Sequence, residues 1–125
     1  MDERKTLALI AHDNKKAEML GFVLAYKGVL ARYELVATRT TGQLLIEQSG
    51  LEIRQMLSGP VGGDAQIAAL VAEGHIEAVF FFVDPLSKHP HDPDIQSLLR
   101  ICNVHNVPLA TNTATASYII SEKAL

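Results

Sequence analysis

The sequence predicts an α/β fold, a parallel sheet flanked by helices with Rossmann-like architecture. Three observations predict it. Short apolar runs alternate with stretches of helical periodicity along the whole chain. The clearest runs, Leu7 to Ala11 and Ala78 to Val83, are continuous where a half-exposed strand would alternate, as expected of strands buried on both faces. No repeat, low-complexity tract or linker-like composition shift interrupts the pattern, so residues 1–125 are expected to form one domain.

In order, Leu7-Ala8-Leu9-Ile10-Ala11 is the first strand. Ala17, Leu20, Gly21 and Leu24 follow at helical spacing, with Asp13 as a candidate N-cap. Glu34 to Thr38 predicts the second strand, and Thr41 to Gln48 a short helix that Gly50 ends. Glu52 to Leu57 is expected as a third, less buried strand, and Gly59-Pro60-Val61-Gly62-Gly63 as a loop. Ile67, Leu70 and Val71 mark a helix that stops at Gly74. In Ala78 to Val83 five residues are β-branched or aromatic, the strongest strand signal in the chain. Asp92-Pro93 reads as a cap and first helical position, with Ile95, Leu98, Leu99 and Cys102 as the buried stripe behind it. Pro108 to Ala110 is a short strand and Ala114 to Ile120 the last helix.

Composition narrows the function classes. Across 125 residues, 48 % are hydrophobic and 20 % charged, enough for a core. A net charge of −3 argues against nucleic acid and anionic membrane as partners. No run approaches the ~18 apolar residues of a membrane span, and Met1 to Lys5 leads into only a short apolar run, unlike a secretory signal. The single cysteine, Cys102, excludes an intrachain disulfide, so a cytoplasmic protein is expected.

In a parallel α/β sheet, ligands bind where the carboxyl ends of strands lead into helix N-termini. The polar segments His12-Asp13, Thr38-Arg39-Thr40-Thr41-Gly42, Ser58-Gly59, Asp84-Pro85 and Thr111-Asn112 all fall there. Hydroxyls and amides before a helix suit a phosphate, although on spacing alone helix capping explains the threonines more simply. Ser58-Gly59 with Gly62-Gly63-Asp64 lets the backbone approach a ligand closely, while Asp64 by itself reads as a cap. Lys16 is either solvated or serves an anion. The His89 to Asp94 segment lacks further His or Cys at a familiar ligand spacing, so no metal is expected. Cys102 lies on the apolar stripe, and neither a P-loop nor a dinucleotide fingerprint is present.

Taken together, these segments resemble the methylglyoxal synthase family. Ala8 to Asp13 with Lys16, Ala37 to Gly42, Leu57 to Asp64, Asp84-Pro85-Leu86, Pro90 to Asp94 and Pro108 to Asn112 carry the likeness over nearly the whole chain. The resemblance implies a lyase without cofactor or metal that converts dihydroxyacetone phosphate to methylglyoxal and inorganic phosphate. It implies that Asp64 is the base and that His91 hydrogen-bonds the carbonyl and hydroxyl oxygens. It further implies that His12 contacts the substrate, that Asp13 and Asp94 set the local charge, and that Lys16, Thr38, Arg39, Thr40, Thr41, Ser58 and Gly59 hold the phosphate. A homo-oligomer, typically a hexamer, is implied as well.

Arg39 stands where the family's loop carries a glycine, and an arginine is expected to be strained in a glycine-only conformation. Relatives commonly carry a C-terminal segment beyond the equivalent of Leu125, which in some supplies a basic residue to a neighbour's phosphate. Arg39 is expected to supply that charge from within the loop. The competing expectation is a non-catalytic module of the same fold that binds a phosphorylated effector; clustered carboxylates favour the enzyme.

Overall fold

A computed structural model describes residues 4–58, 61–86 and 95–121. Five strands, β1 (Thr6–Ala11), β2 (Glu34–Ala37), β3 (Arg54–Gln55), β4 (Ala78–Phe82) and β5 (Leu109–Ala110), form one sheet in the order β3-β2-β1-β4-β5. All four pairings are parallel, with Leu9 opposite Ala37 and Phe80. The helices are α1 (Lys16–Ala25), α2 (Lys27–Leu30), α3 (Arg39–Ser49), α4 (Gly63–Ala72), α5 (Ile95–Val104) and α6 (Thr113–Ile120).

Two apolar layers sandwich the sheet because its central strands are apolar on both faces, from Leu7 to Ala11 and from Ala78 to Phe82. Leu7, Leu9, Phe80 and Phe82 face α1, α3 and α6 through Met19, Phe22, Leu45 and Ala116. Ala8, Ile10, Val79 and Phe81 face α4 and α5 through Ile67, Val71, Leu98 and Cys102. Phe80, Phe81 and Phe82 are all but inaccessible, and truncating any one to alanine would cost about 3–5 kcal/mol.

Most strands and helices fall where the periodicity puts them, with shifted ends. Helix α3 begins two residues before Thr41, and the third strand shrinks to Arg54–Gln55, where two successive exposed residues break the alternation set by Leu51 and Ile53. The first helix turns differently from expectation. Its buried face is Met19, Phe22 and Val23, whereas Ala17 and Gly21 are exposed and Leu24 is 48 % accessible. Two apolar stripes compete in this mostly apolar helix. The stripe carrying Phe22 wins because its ring packs edge-on against Phe80 and Phe82, at 5.4 and 5.7 Å. Asp13 does not cap α1: it opens a 3-10 turn, Asp13–Lys15, and the helix proper begins at Lys16 with no side-chain cap. At the end of α3, Gly50 adopts the left-handed conformation (φ 76°) that the sequence anticipates for a stop.

Candidate active site

The sheet order has a reversal at its centre. The chain builds outward from β1 through β2 to β3, then returns to add β4 and β5 on the other side of β1. The switch point therefore lies between the carboxyl ends of β1 and β4, and because every strand is parallel, the carboxyl ends of all five strands point to that edge.

Hydrogen bonds tie neighbouring loops together there. Arg39 N–H donates to the Leu57 carbonyl at 3.4 Å and Met56 N–H to the Ala37 carbonyl at 2.7 Å, joining the loops after β2 and β3. Val83 N–H donates to the Thr111 carbonyl at 3.2 Å, joining those after β4 and β5. Between β1 and β4, His12 N–H donates to the Phe82 carbonyl at 3.0 Å, and Asp84 N–H donates to His12 Nδ1 at 2.9 Å. The His12 ring is buried, edge-on to Phe81 with centroids 5.4 Å apart.

The threonine loop leads directly into α3. Thr38 occupies the N-cap position in extended backbone and is buried, yet its side chain makes no capping bond. Thr41 is 1 % exposed and its Oγ1 has no hydrogen-bond partner. Capping thus does not account for either hydroxyl. Thr40 is exposed on the first turn. Gly42 packs closely: a Cβ there would lie 3.1 Å from Gln55 Cγ and 3.4 Å from Ala37 Cβ.

Arg39 is the first residue of α3, and the only non-glycine residue with positive φ among those described is Asn106. The expected strain is therefore absent: helical backbone suits arginine at this position, and no glycine-only conformation is required. Arg39 borders a cavity of about 330 Å³ with Arg54, Gln55, Met56, Leu57 and Gln66. A larger cavity, about 480 Å³, is lined by Thr6, Glu34, Glu73 and His75 among others, at the amino ends of β1 and β2. None of the site residues lies there, and the fold binds ligands at the opposite edge.

Asp64 sits in the first turn of α4, where the positive end of the helix dipole stabilises a carboxylate. Its position follows from the two glycines before it. Gly62, at φ 106°, takes the N-cap position in a conformation open chiefly to glycine, so Asp64 is not the cap that spacing alone suggests. Gly63 N–H donates to the Ser58 carbonyl at 2.9 Å, and its Cα passes so near that an added Cβ would lie 1.8 Å from Leu57 O. Ser58 is half-buried beside this approach.

Lys16 is neither simply solvated nor left for an anion alone. Its side chain is 19 % exposed, and its ammonium contacts the Asp13 carboxylate, itself 80 % exposed. Of the predicted residues, His12, Asp13, Lys16, Thr38, Arg39, Thr40, Thr41, Ser58 and Asp64 stand on this edge. Gly59, His91 and Asp94 lie outside the described residues, as does the cap predicted at Asp92-Pro93. Sequence reasoning gave no role to Asn14 and Asp84. Asn14 Nδ2 donates to Asp84 Oδ2 at 2.9 Å, and Leu86 N–H to Asp84 Oδ1 at 3.0 Å. The available signal was the acid directly beyond the most buried strand. Among the described residues no group of three His, Cys, Asp or Glu is gathered as a metal site, and no helix is long and apolar enough to cross a membrane.

Comparison with known proteins agrees with this geometry. The MGS-like domain model matches residues 18–111. The chain is 58 % identical over 117 residues to a methylglyoxal synthase of Thermus thermophilus, covering 94 % of this chain and 93 % of that protein. It is 55 % identical over 116 residues to the methylglyoxal synthase of Clostridium beijerinckii, covering 93 % and 98 %. Its fold is similar to the crystal structure of methylglyoxal synthase from Elizabethkingia anophelis, with a TM-score of 0.93 and 43 % identity over 98 % of this chain and 81 % of that one. With the family model matched over most of its length, the fold shared with a solved relative and more than half of the aligned residues identical to those of the two curated ones, this chain belongs to the methylglyoxal synthase family.

Proposed function

We propose that the protein is a carbon–oxygen lyase that converts dihydroxyacetone phosphate into methylglyoxal and inorganic phosphate. The observation that carries this reading is the start of α3. Two buried hydroxyls, Thr38 and Thr41, are spent on no helix cap, and Thr41 Oγ1 has no hydrogen-bond partner among the described residues. A buried polar atom left unpaired costs about 1–3 kcal/mol, and phosphate oxygens at a helix N-terminus remove that cost. Thr40, Ser58, the Gly59 amide, Lys16 and Arg39 complete the phosphate's surroundings.

The rest of the edge supplies the chemistry. Asp64 removes a proton from the hydroxyl-bearing carbon beside the carbonyl. The C–H electron pair becomes the double bond of an enediolate, whose oxygens require donors aimed at the developing charge. His12 is such a donor, and His91 relays protons between the two oxygens, with Asp13 and Asp94 setting the local charge. When the enediolate collapses, its electrons expel the phosphate: the carbon–oxygen bond breaks, and the resulting enol takes up a proton to become methylglyoxal. Elimination requires that bond perpendicular to the enediolate plane, and the threonine loop with Lys16 fixes the angle. Atoms and electrons balance without an external oxidant or metal. The protein acts in the cytoplasm as a homo-oligomer, a hexamer by family likeness; light scattering on the purified protein tests that number.

The direct test incubates purified protein with dihydroxyacetone phosphate and measures methylglyoxal and phosphate against an enzyme-free blank. Equal release of both, reduced about 100- to 10,000-fold in Asp64→Asn with phosphate binding retained, supports the assignment. Folded protein that binds phosphate and releases nothing above the blank refutes it in favour of an effector-binding module. Near-normal turnover in Asp64→Asn moves the base elsewhere, with Asp94 first in line.

A further inference from the structure

The imidazole of His12 takes a place in the sheet that belongs to a carbonyl. In a parallel ladder, the rung after His12 N–H to the Phe82 carbonyl would run from Asp84 N–H to the His12 carbonyl. That carbonyl instead accepts Lys15 N–H at 2.8 Å as the chain enters its 3-10 turn, and Asp84 N–H goes to His12 Nδ1 at 2.9 Å. A main-chain amide can only donate. Nδ1 is therefore held as an acceptor, and the neutral ring carries its proton on Nε2.

The Asp84 amide is held in turn through its own side chain. One carboxylate oxygen accepts Leu86 N–H at 3.0 Å, the other accepts Asn14 Nδ2 at 2.9 Å. Asn14 lies two residues beyond His12, so the bonds close a ring: from the His12 main chain to the Asn14 carboxamide, across to the Asp84 carboxylate, and back through the Asp84 amide to His12 Nδ1. The ring spans the switch point of the sheet. Asn14 is exposed, contributes nothing to the core, and makes no helix cap.

We propose that Asn14 is a positioning residue of the reaction: by clamping the Asp84 carboxylate, it keeps the Asp84 amide on His12 Nδ1 and so presents His12 to the substrate as a neutral, Nε2-protonated hydrogen-bond donor. The inference rests on the proposed lyase reading, in which His12 touches the substrate. A neutral donor suits that role, since it stabilises the enediolate oxygen without handing over a full proton ahead of elimination. The charge distribution agrees. The Asp84 carboxyl is held below the usual carboxylate value first by the Asn14 carboxamide, then by the Leu86 amide, with burial opposing them and Lys15 adding a smaller lowering. The clamp thus stays ionised throughout the neutral range.

The test compares wild type with Asn14→Ala and Asn14→Asp by turnover, inorganic phosphate affinity and 15N NMR of the His12 ring. Wild type is expected to show proton on Nε2 alone. Asn14→Ala is expected to lower kcat about 10-fold with KM and phosphate affinity nearly unchanged, and to give the ring a second tautomer or imidazolium population. Asn14→Asp, of equal size but repelling Asp84, is expected to fall at least as far. A purely structural asparagine would leave the ring's nitrogen shifts as they are. Wild-type protein that makes no methylglyoxal overturns the lyase reading and this inference together. Active wild type with Asn14→Ala at full kcat and an unaltered His12 ring overturns the inference alone.

Discussion

Substituting Gly63 with alanine tests how Asp64 is placed. An alanine Cβ would sit 1.8 Å from Leu57 O, 2.8 Å from its carbonyl carbon and 3.1 Å from the Ser58 carbonyl carbon. Ordinary contact begins near 3.4 Å, so the two backbones must separate by about 1.6 Å. Neither is free to do so. Leu57 N–H donates to Gln66 Oε1 at 2.8 Å, the Leu57 carbonyl accepts Arg39 N–H, and Gly63 N–H is bound to the Ser58 carbonyl. Overpacking of this kind costs about 1–3 kcal/mol, and one or two weakened hydrogen bonds add roughly 1 kcal/mol each. A loss of ~3 kcal/mol lowers Tm by about 12 °C in a domain of this size. In the proposed mechanism the same displacement carries Asp64 off the reacting carbon, and misplacement by ~1 Å costs about 100-fold in kcat/KM. Gly21→Ala is the control: it lies exposed within α1 with no heavy atom inside 4 Å of the added Cβ, and should gain about 0.5–1 kcal/mol. Thermal unfolding and the coupled product assay read both variants. A Gly63→Ala protein that melts and turns over like wild type would show that the loop yields freely, and that close backbone approach does not fix the base.

Three further outcomes follow from individual side chains. Thr41→Val keeps the shape and removes an unpartnered hydroxyl, so calorimetry should show ~1 kcal/mol of added stability while titration shows phosphate affinity falling about 10-fold. Arg39→Gly should raise KM for dihydroxyacetone phosphate about 5-fold in steady-state kinetics, as expected for one partly solvated charge contact; a lower KM would refute the charge that Arg39 is held to contribute. Burial pushes the Cys102 thiol up from 9.0 to about 11, so the folded chain keeps a proton that the unfolded chain loses across that interval. Stability from this group is therefore intact below pH 9 and declines as pH rises toward 11. Denaturant midpoints should show the decline in wild type and its absence in Cys102→Ala, and thiol reagents near pH ~8 should leave native Cys102 untouched.

Much of this architecture is legible in the chain. Continuous apolar runs such as Ala78 to Val83 occur where both faces of a strand are covered, and that alone implies helices on both sides and parallel order. The glycines that punctuate Leu57 to Asp64 likewise point to close backbone approach. Where two faces of one helix are apolar, periodicity has no way to choose between them. In α1 the choice fell to a tertiary contact, Phe22 against two phenylalanines far along the chain, and the exposed Leu24 is what remains of the losing stripe. Capping posed the same difficulty. Thr38 has the residue type and position of a cap, and only its buried, uncommitted hydroxyl separates it from one.

The Asn14–Asp84–His12 ring was hidden for a different reason. Local rules act over three or four residues, but Asn14 and Asp84 are separated by 70 positions and meet only because β1 and β4 became neighbours at the reversal of the sheet. At that reversal both strands run out together, and the Asp84 amide, two residues past β4, would face water unless something accepted it. In most parallel pairs the opposite carbonyl does so. Here that carbonyl turns back to Lys15, and the imidazole takes its rung. In the proposed mechanism a histidine in this role satisfies the sheet with one nitrogen and turns the other to the substrate. A carbonyl in the same place would satisfy the sheet and offer no donor. On that proposal, the demand for a fully bonded strand end and the demand for an oriented, uncharged donor are met by one side chain, so that the residue type at the end of β1 carries information about both fold and chemistry.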